Sequence, residues 1–263
     1  MVGKFPSVSE TFILNQITGL IDRGHEVDIY ADRPGDTTKI HQEVEDYRLL
    51  DRTYYSAMPA NRIKRVAKGL KLLLANFLKK PDVLLRSLNV FKYNYSNYRE
   101  QAVLLRLLYS AIPFLDKQPY DIIHCHFGPY ALRAVLLRDI GAIQGKILTT
   151  FHGFDVSMYV RERGKEIYKD LFAKGDLYTV NTSFTGNSAV AIGCPENKII
   201  KLPVGLNVSL YSFQPKILNS GETVKIITVA RLVEKKGLEY SIRAVAKVLQ
   251  TKSNIEYRIV GEG

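Results

Sequence analysis

The sequence is short of the residues that build disulfide-bonded or metal-centred folds. Of 263 residues only two are cysteine, Cys125 and Cys194. Two thiols make neither a disulfide framework nor a zinc set, and they suit a reducing cytosol. No D-x-D pair occurs, so there is no acidic pair of the usual kind for a nucleotide-bound divalent cation. No apolar run reaches the length that spans a bilayer. No basic segment followed by an apolar stretch opens these 263 residues, so a secretory signal is not expected.

Acidic residues are also in deficit. The formal net charge is +11, which suits an anionic partner without naming it. The excess is concentrated: residues 61–110 hold eleven Lys or Arg against two acids, Asp82 and Glu100. No recognisable nucleic-acid-binding module accompanies this charge, so nucleic acid is not an expected partner.

What is present is an alternation of short apolar runs with helical patterns. Ser7 and Glu10 form a capping-box spacing before Phe12, Ile13, Ile17, Leu20 and Ile21, which predicts a helix over 8–23. Val27–Ala31 reads as a strand. Helices are expected over 62–80, ended by Pro81, and over 83–115, broken near its end by Pro113. Strands follow at 121–124, 146–151, 177–181 and 198–202, with helices at 131–139, 166–174 and 185–192 between them. This alternation implies a parallel sheet covered on both faces. Residues 212–223 are polar, with Pro215, Asn219, Ser220 and Gly221, and read as a linker. A fresh unit then follows: strand 224–230, helix 238–250, strand 256–260.

The expected organisation is therefore an N-terminal Rossmann-like domain over 1–211, a linker over 212–223 and one βαβ unit of a second Rossmann-like domain over 224–263. Both ends read as cut. Only Met1 and Val2 remain for a strand that should precede the first helix, so that strand is expected to be largely missing. One βαβ unit cannot bury a core alone.

In open α/β sheets ligands bind beyond the carboxyl ends of the strands. His124-Cys125-His126-Phe127-Gly128 and His152-Gly153-Phe154-Asp155 follow two such strands. His124 and His126 share a strand face, but no third ligand is evident, so a metal site is not expected. His152 has two readings by position: a hydrogen-bond donor to a substrate, or a cap for a neighbouring helix. Glu10 is either an acceptor contact or a member of the capping box. The loop from Gly3 to Ser9 opens a helix, where free N–H groups can hold an anion. Arg231-Leu232-Val233-Glu234-Lys235-Lys236-Gly237 places cations between a strand end and a helix start, a site for a diphosphate or a solvated basic turn.

These segments resemble a known family. Phe5-Pro6-Ser7-Val8-Ser9-Glu10-Thr11-Phe12-Ile13 is similar to the FPxxSETFI opening of family 4 glycosyltransferases of bacterial polysaccharide synthesis, including those for colanic acid and related exopolysaccharides. Gly24-His25-Glu26-Val27, His124–Gly128, Thr150–Asp155, Ala230–Gly237 and Val260–Gly263 resemble further segments in the family's order. The resemblance implies a GT-B fold and transfer of a sugar from a nucleotide sugar with retention, usually without a bound metal or other cofactor. The acceptor, a saccharide or lipid-linked saccharide, would be held by the N-terminal domain. Arg231 and Lys236 would stabilise the leaving diphosphate, with Gly3 as a further diphosphate contact. His152 would lie at the reacting centre, and Glu10, His126 and Asp155 on the acceptor side.

Three departures stand out. Ala230 replaces the common glycine before Arg231. Val204-Gly205-Leu206-Asn207 departs from the family's junction loop. The E-x7-E region that grips the donor sugar lies beyond Gly263, so little or no transfer is expected from these 263 residues alone. The competing readings are a sugar-nucleotide epimerase of the same fold, and a non-catalytic module for anionic lipid or polysaccharide.

The helix over 62–80 is basic and amphipathic. Ile63, Val66, Ala67, Leu70, Leu74, Phe77 and Leu78 share one face, and Lys64, Arg65, Lys68, Lys71 and Lys79 the other, with Leu72 among the cations. Its apolar face either packs on the sheet or lies on an anionic membrane, with Lys64, Arg65, Lys68 and Lys71 facing the lipid. The expected location is cytoplasmic, peripheral to the inner face of the membrane.

Overall fold

A computed structural model describes residues 1–89, 92, 105–206, 208, 212–215, 217–219 and 221–263. The chain divides into two compact units, Met1–Leu206 and Asn207–Gly263.

The first unit is a parallel α/β sheet. Its strands are β1 (Val2–Phe5), β2 (Ile29–Pro34), β3 (Thr53–Tyr55), β4 (Ile122–His126), β5 (Lys146–Phe151), β6 (Leu177–Val180) and β7 (Ile199–Lys201). They pair in parallel as β1-β2-β3 and β4-β5-β6-β7. Met1 joins the two sets: its α-amino group donates to the His124 carbonyl, and its carbonyl accepts from the His126 N–H at 3.1 Å. The order across the unit is thus β3-β2-β1-β4-β5-β6-β7. The direction of strand addition reverses between β1 and β4, the place where such sheets form a ligand crevice.

The helices are α1 (Thr11–Ile21), α2 (Gln42–Asp46), α3 (Arg62–Asn76), α4 (Pro81–Ser87), α5 (Arg106–Ala111), α6 (Gly128–Asp139), α7 (Met158–Arg163), α8 (Lys169–Lys174) and α9 (Ser183–Ala191). Burial on both faces follows from period-two alternation along the strands. In β2, Ile29 and Ala31 join one apolar cluster with Ile13, Leu14 and Ile17 of α1, while Tyr30 between them joins the other. Helix α6 is buried almost all round, from Ala131 to Leu137. Its buried cation, Arg133, is paired with Asp32 of β2.

Several expectations are corrected. The first strand is present as β1, because Gly3, Lys4 and Phe5 extend it beyond Met1 and Val2. Helix α1 starts at Thr11, not Val8. Ser7–Glu10 form a turn instead, with the Glu10 N–H on the Ser7 carbonyl at 3.2 Å. Glu10 is the N-cap residue itself and makes no side-chain cap, so the capping box is not formed. Pro81 does not merely stop a helix; it sits in the first turn of α4, where its missing N–H costs nothing. The expected helix over 83–115 holds α4 and α5, and residues 90–91 and 93–104 lie outside the described set, as do Asn207 and, in the linker, Lys216 and Ser220.

The second unit is the expected βαβ: β8 (Val224–Val229), α10 (Leu238–Leu249) and β9 (Ile255–Val260), with β8 parallel to β9. Among the described residues no helix is long and apolar enough to cross a membrane.

Candidate functional site

Beyond the carboxyl ends of β4 and β5 the first unit gathers three histidines. His124 and His126 are two apart on β4 and therefore share a face, with their rings stacked at 4.3 Å. His152 follows β5 directly, and its Nε2 lies 3.2 Å from His126 Nδ1. His124 Nε2 meets Thr150 Oγ1 at 2.7 Å, and Thr150 meets Thr179 Oγ1 at 2.6 Å. Phe12 of α1 lies against His152 at 4.6 Å between ring centres, and Phe127 at 4.5 Å. Phe12 follows β1 and His126 ends β4, so the group occupies the switch point of the sheet.

The imidazoles are held neutral. Burial lowers the pKa of His124 to about 3, with the neighbouring His152 adding to the effect. Burial lowers His152 to about 4. His126 is pushed further down in the same direction, by burial and then by His124. At neutral pH the cluster is an uncharged hydrogen-bonding surface rather than a cation. Unfolded histidines take up protons below about 6.5 while these do not, so stability rises with pH between the two values. The stabilisation is complete above 6.5 and is lost as pH falls towards 4 and 3. Melting temperatures between pH 7 and 4 are expected to drop steeply, and less steeply in His124→Asn. Parallel curves for the two proteins would contradict the burial of His124.

Asp155 holds the loops of this site. Its carboxylate accepts from the Gly128 N–H at 3.1 Å and the His152 N–H at 3.0 Å, tying the loop after β5 to the start of α6. Its carbonyl accepts from the Tyr168 hydroxyl at 3.0 Å. A Cβ on Gly128 would stand 2.5 Å from the Tyr168 ring, so only glycine allows this approach. Asp155 is fully buried. Its carboxylate is therefore committed to clamping these loops, where the sequence reading set it on the acceptor side. His126 is buried beside His152, whereas His152 keeps partial exposure.

Glu10 is half-buried at the N-terminus of α1. Burial raises its pKa, while the Ser7 hydroxyl and Lys4 oppose the rise. It borders a groove with Lys4, Ser7 and His41. Gly3 is not in the helix-opening loop: it lies inside β1, and a Cβ there would collide with the Tyr130 hydroxyl. Sequence reasoning missed Phe12 and Phe127 as neighbours of His152, and Thr150 as the partner of His124. All three lie in the resembling segments, but Phe12 arrives through the β1–β4 adjacency and the other two through the β4–β5 pairing. Among the described residues no group of three or more His, Cys, Asp or Glu is placed to hold a metal ion.

In the second unit Arg231 and Lys236 are exposed in the loop between β8 and α10. The Leu232 N–H on the Glu262 carbonyl at 2.9 Å pins the loop to the end of β9. Glu234–Lys236 form a 3-10 turn, and Gly237 turns the chain into α10 at φ 63°. The cations thus precede a helix N-terminus, as the spacing predicts.

Residues 85–210 match Glycosyltransferase Family 4. This is the family that the chain's motifs resemble. It is 34% identical to putative colanic acid biosynthesis glycosyltransferases of Salmonella typhimurium and Escherichia coli, and 35% identical to the amylovoran biosynthesis glycosyltransferase of Erwinia amylovora. Each match covers 99% of this chain, and the chain spans 63% of the length of each relative. A glycosyltransferase structure from Rickettsia africae superposes with a TM-score of 0.51 at 16% identity, over 100% of this chain and 67% of that one. That likeness shows the fold, a Rossmann-type α/β architecture shared with glycosyltransferases.

Proposed function

We propose that the protein transfers a sugar from a nucleotide-sugar donor to a saccharide acceptor in exopolysaccharide synthesis, with retention at the anomeric carbon and without a bound metal. The observation that carries this reading is the neutral histidine cluster at the switch point of a Family 4 domain. His152 is its least buried member and sits where a reacting sugar would be placed. Arg231 and Lys236 fit the role of cations for the leaving diphosphate, since such preorganised charge is often the largest catalytic contribution. The acceptor is proposed to be lipid-linked, which puts the work at the inner face of the cytoplasmic membrane.

The test is release of nucleoside diphosphate from a panel of nucleotide sugars, in a chain completed to the relatives' length and supplied with membrane-extracted acceptor. The 263 residues alone are expected to turn over little or none. Product anomeric configuration is read by NMR, and a chelator is expected to leave the rate unchanged. Arg231→Ala and Lys236→Ala are each expected to slow transfer about a hundredfold, roughly 3 kcal/mol of transition-state stabilisation. Near-normal rates in both would remove these residues from the site.

A further inference from the structure

Helix α3 packs the wrong way round for a surface helix. Its inward side is made of Arg65 and Gly69, both buried, and the half-buried Leu72, Leu73 and Asn76. Arg65 is spent internally: its guanidinium donates to the Pro59 carbonyl at 2.9 Å and the Ala60 carbonyl at 3.0 Å. The Arg65 carbonyl accepts from the Tyr109 hydroxyl at 2.8 Å. At Gly69 the helix backbone comes so close that a Cβ would lie 2.7 Å from Leu105 Cδ1. The side with small and polar residues is therefore locked against the protein.

The apolar stripe consequently faces outwards. Ile63 is 81% exposed and Leu74 71%, and Leu78, in the turn after the helix, is 96% exposed. Val66 and Leu70 are exposed between them. Helical spacing sets Lys64, Lys68 and Lys71 along one border of the stripe, between it and the body of the protein, with Arg62 on the other. Lysines so placed can lower the stripe into an apolar phase while their ammonium groups reach back to the boundary.

We infer that this stripe is a docking surface for an anionic lipid bilayer, with Ile63, Leu70, Leu74 and Leu78 entering the acyl region and Lys64 and Lys71 meeting the headgroups. The cationic border selects the bilayer over a protein partner, because it matches an anionic plane. Arg65, assigned to the lipid by the sequence pattern, is not part of this surface. The inference rests on the reading that the protein works at a membrane, and it is tested without any sugar transfer.

The chain has no tryptophan, so Leu74→Trp supplies a single indole probe on the stripe. Its emission is expected to shift to the blue with phosphatidylglycerol vesicles and to be quenched by brominated acyl chains. Phosphatidylcholine vesicles should produce neither effect, and high salt should weaken both. In co-sedimentation, Lys64→Glu with Lys71→Glu is expected to cut partitioning at least about tenfold, and Leu70→Ser with Leu74→Ser at least about tenfold. All of these residues are exposed, and unchanged melting curves would show that the fold survives. Three outcomes overturn the inference: no sedimentation with anionic vesicles at low salt, an unquenched probe, or a dimer in ultracentrifugation that the serine variant dissociates. Lost vesicle binding together with intact transfer to a soluble acceptor would reject this surface and leave the transferase reading in place.

Discussion

Replacing His152 with alanine in a chain of the relatives' length is expected to lower sugar transfer by about a hundredfold or more. His152 follows the last residue of β5 and precedes Gly153 at φ 97°, where no Cβ obstructs a ligand. Its ring is placed by three contacts: Phe12 and Phe127 bear on it, and His126 meets its Nε2. The imidazole is neutral at working pH, so it acts by hydrogen bonding and not by charge. Transfer should therefore show no step between pH 6 and 8 that disappears with His152. His152→Gln keeps a hydrogen-bonding group and should recover part of the loss. Because the ring is partly exposed and the backbone N–H stays on Asp155, the alanine variant should melt near the parent. A variant that transfers at the parent rate would refute the assignment. One that merely unfolds would give the residue a structural role.

Asp155→Ala is expected to destabilise the first unit by about 3 kcal/mol, by leaving the Gly128 and His152 N–H groups buried without their acceptor. The effect has a pH signature. Burial raises the Asp155 pKa from 3.8 to about 6, and the N–H groups of Gly128 and His152 offset only part of that rise. A carboxyl raised on folding binds its proton more tightly in the folded state. Its extra stabilisation is complete below 3.8 and disappears as pH climbs through 6. The gap between parent and Asp155→Ala in urea unfolding should therefore narrow by about 1 kcal/mol from pH 5 to pH 7. The histidines titrate in both proteins and cancel from the difference. A gap that widens with pH would mean that the two N–H donors outweigh burial. Transfer should also fall in this variant, since the His152 loop loses its anchor.

Much of the fold was legible in the sequence because strand and helix periods differ and parallel strands are apolar runs. The strands β4 to β9 lie within a few residues of their expected places, and the βαβ unit of β8, α10 and β9 was read as such. The missing first strand was a misreading with a simple cause. Gly3 and Lys4 are weak strand formers, and β1 is held by pairing with β2 and by Met1 against β4, not by local preference. The capping box failed for a similar reason: Ser7 to Glu10 satisfy the spacing, but the chain leaving β1 needs those residues for a turn.

The sequence by itself determined the alternation of elements, the family segments and the place of His152 at a strand end, because each is local along the chain. Only the tertiary structure decided which loops meet. The β1–β4 adjacency brings Phe12 to His126 and His152, and Asp155 turned from a polar loop residue into a buried clamp because Gly128 and Tyr168 close over it. The same division holds in α3. Periodicity showed that Ile63, Leu70 and Leu74 share a face, but a helical wheel has no reference direction. The close approach at Gly69 and the internal hydrogen bonds of Arg65 supply that direction, and they turn the apolar face away from the core.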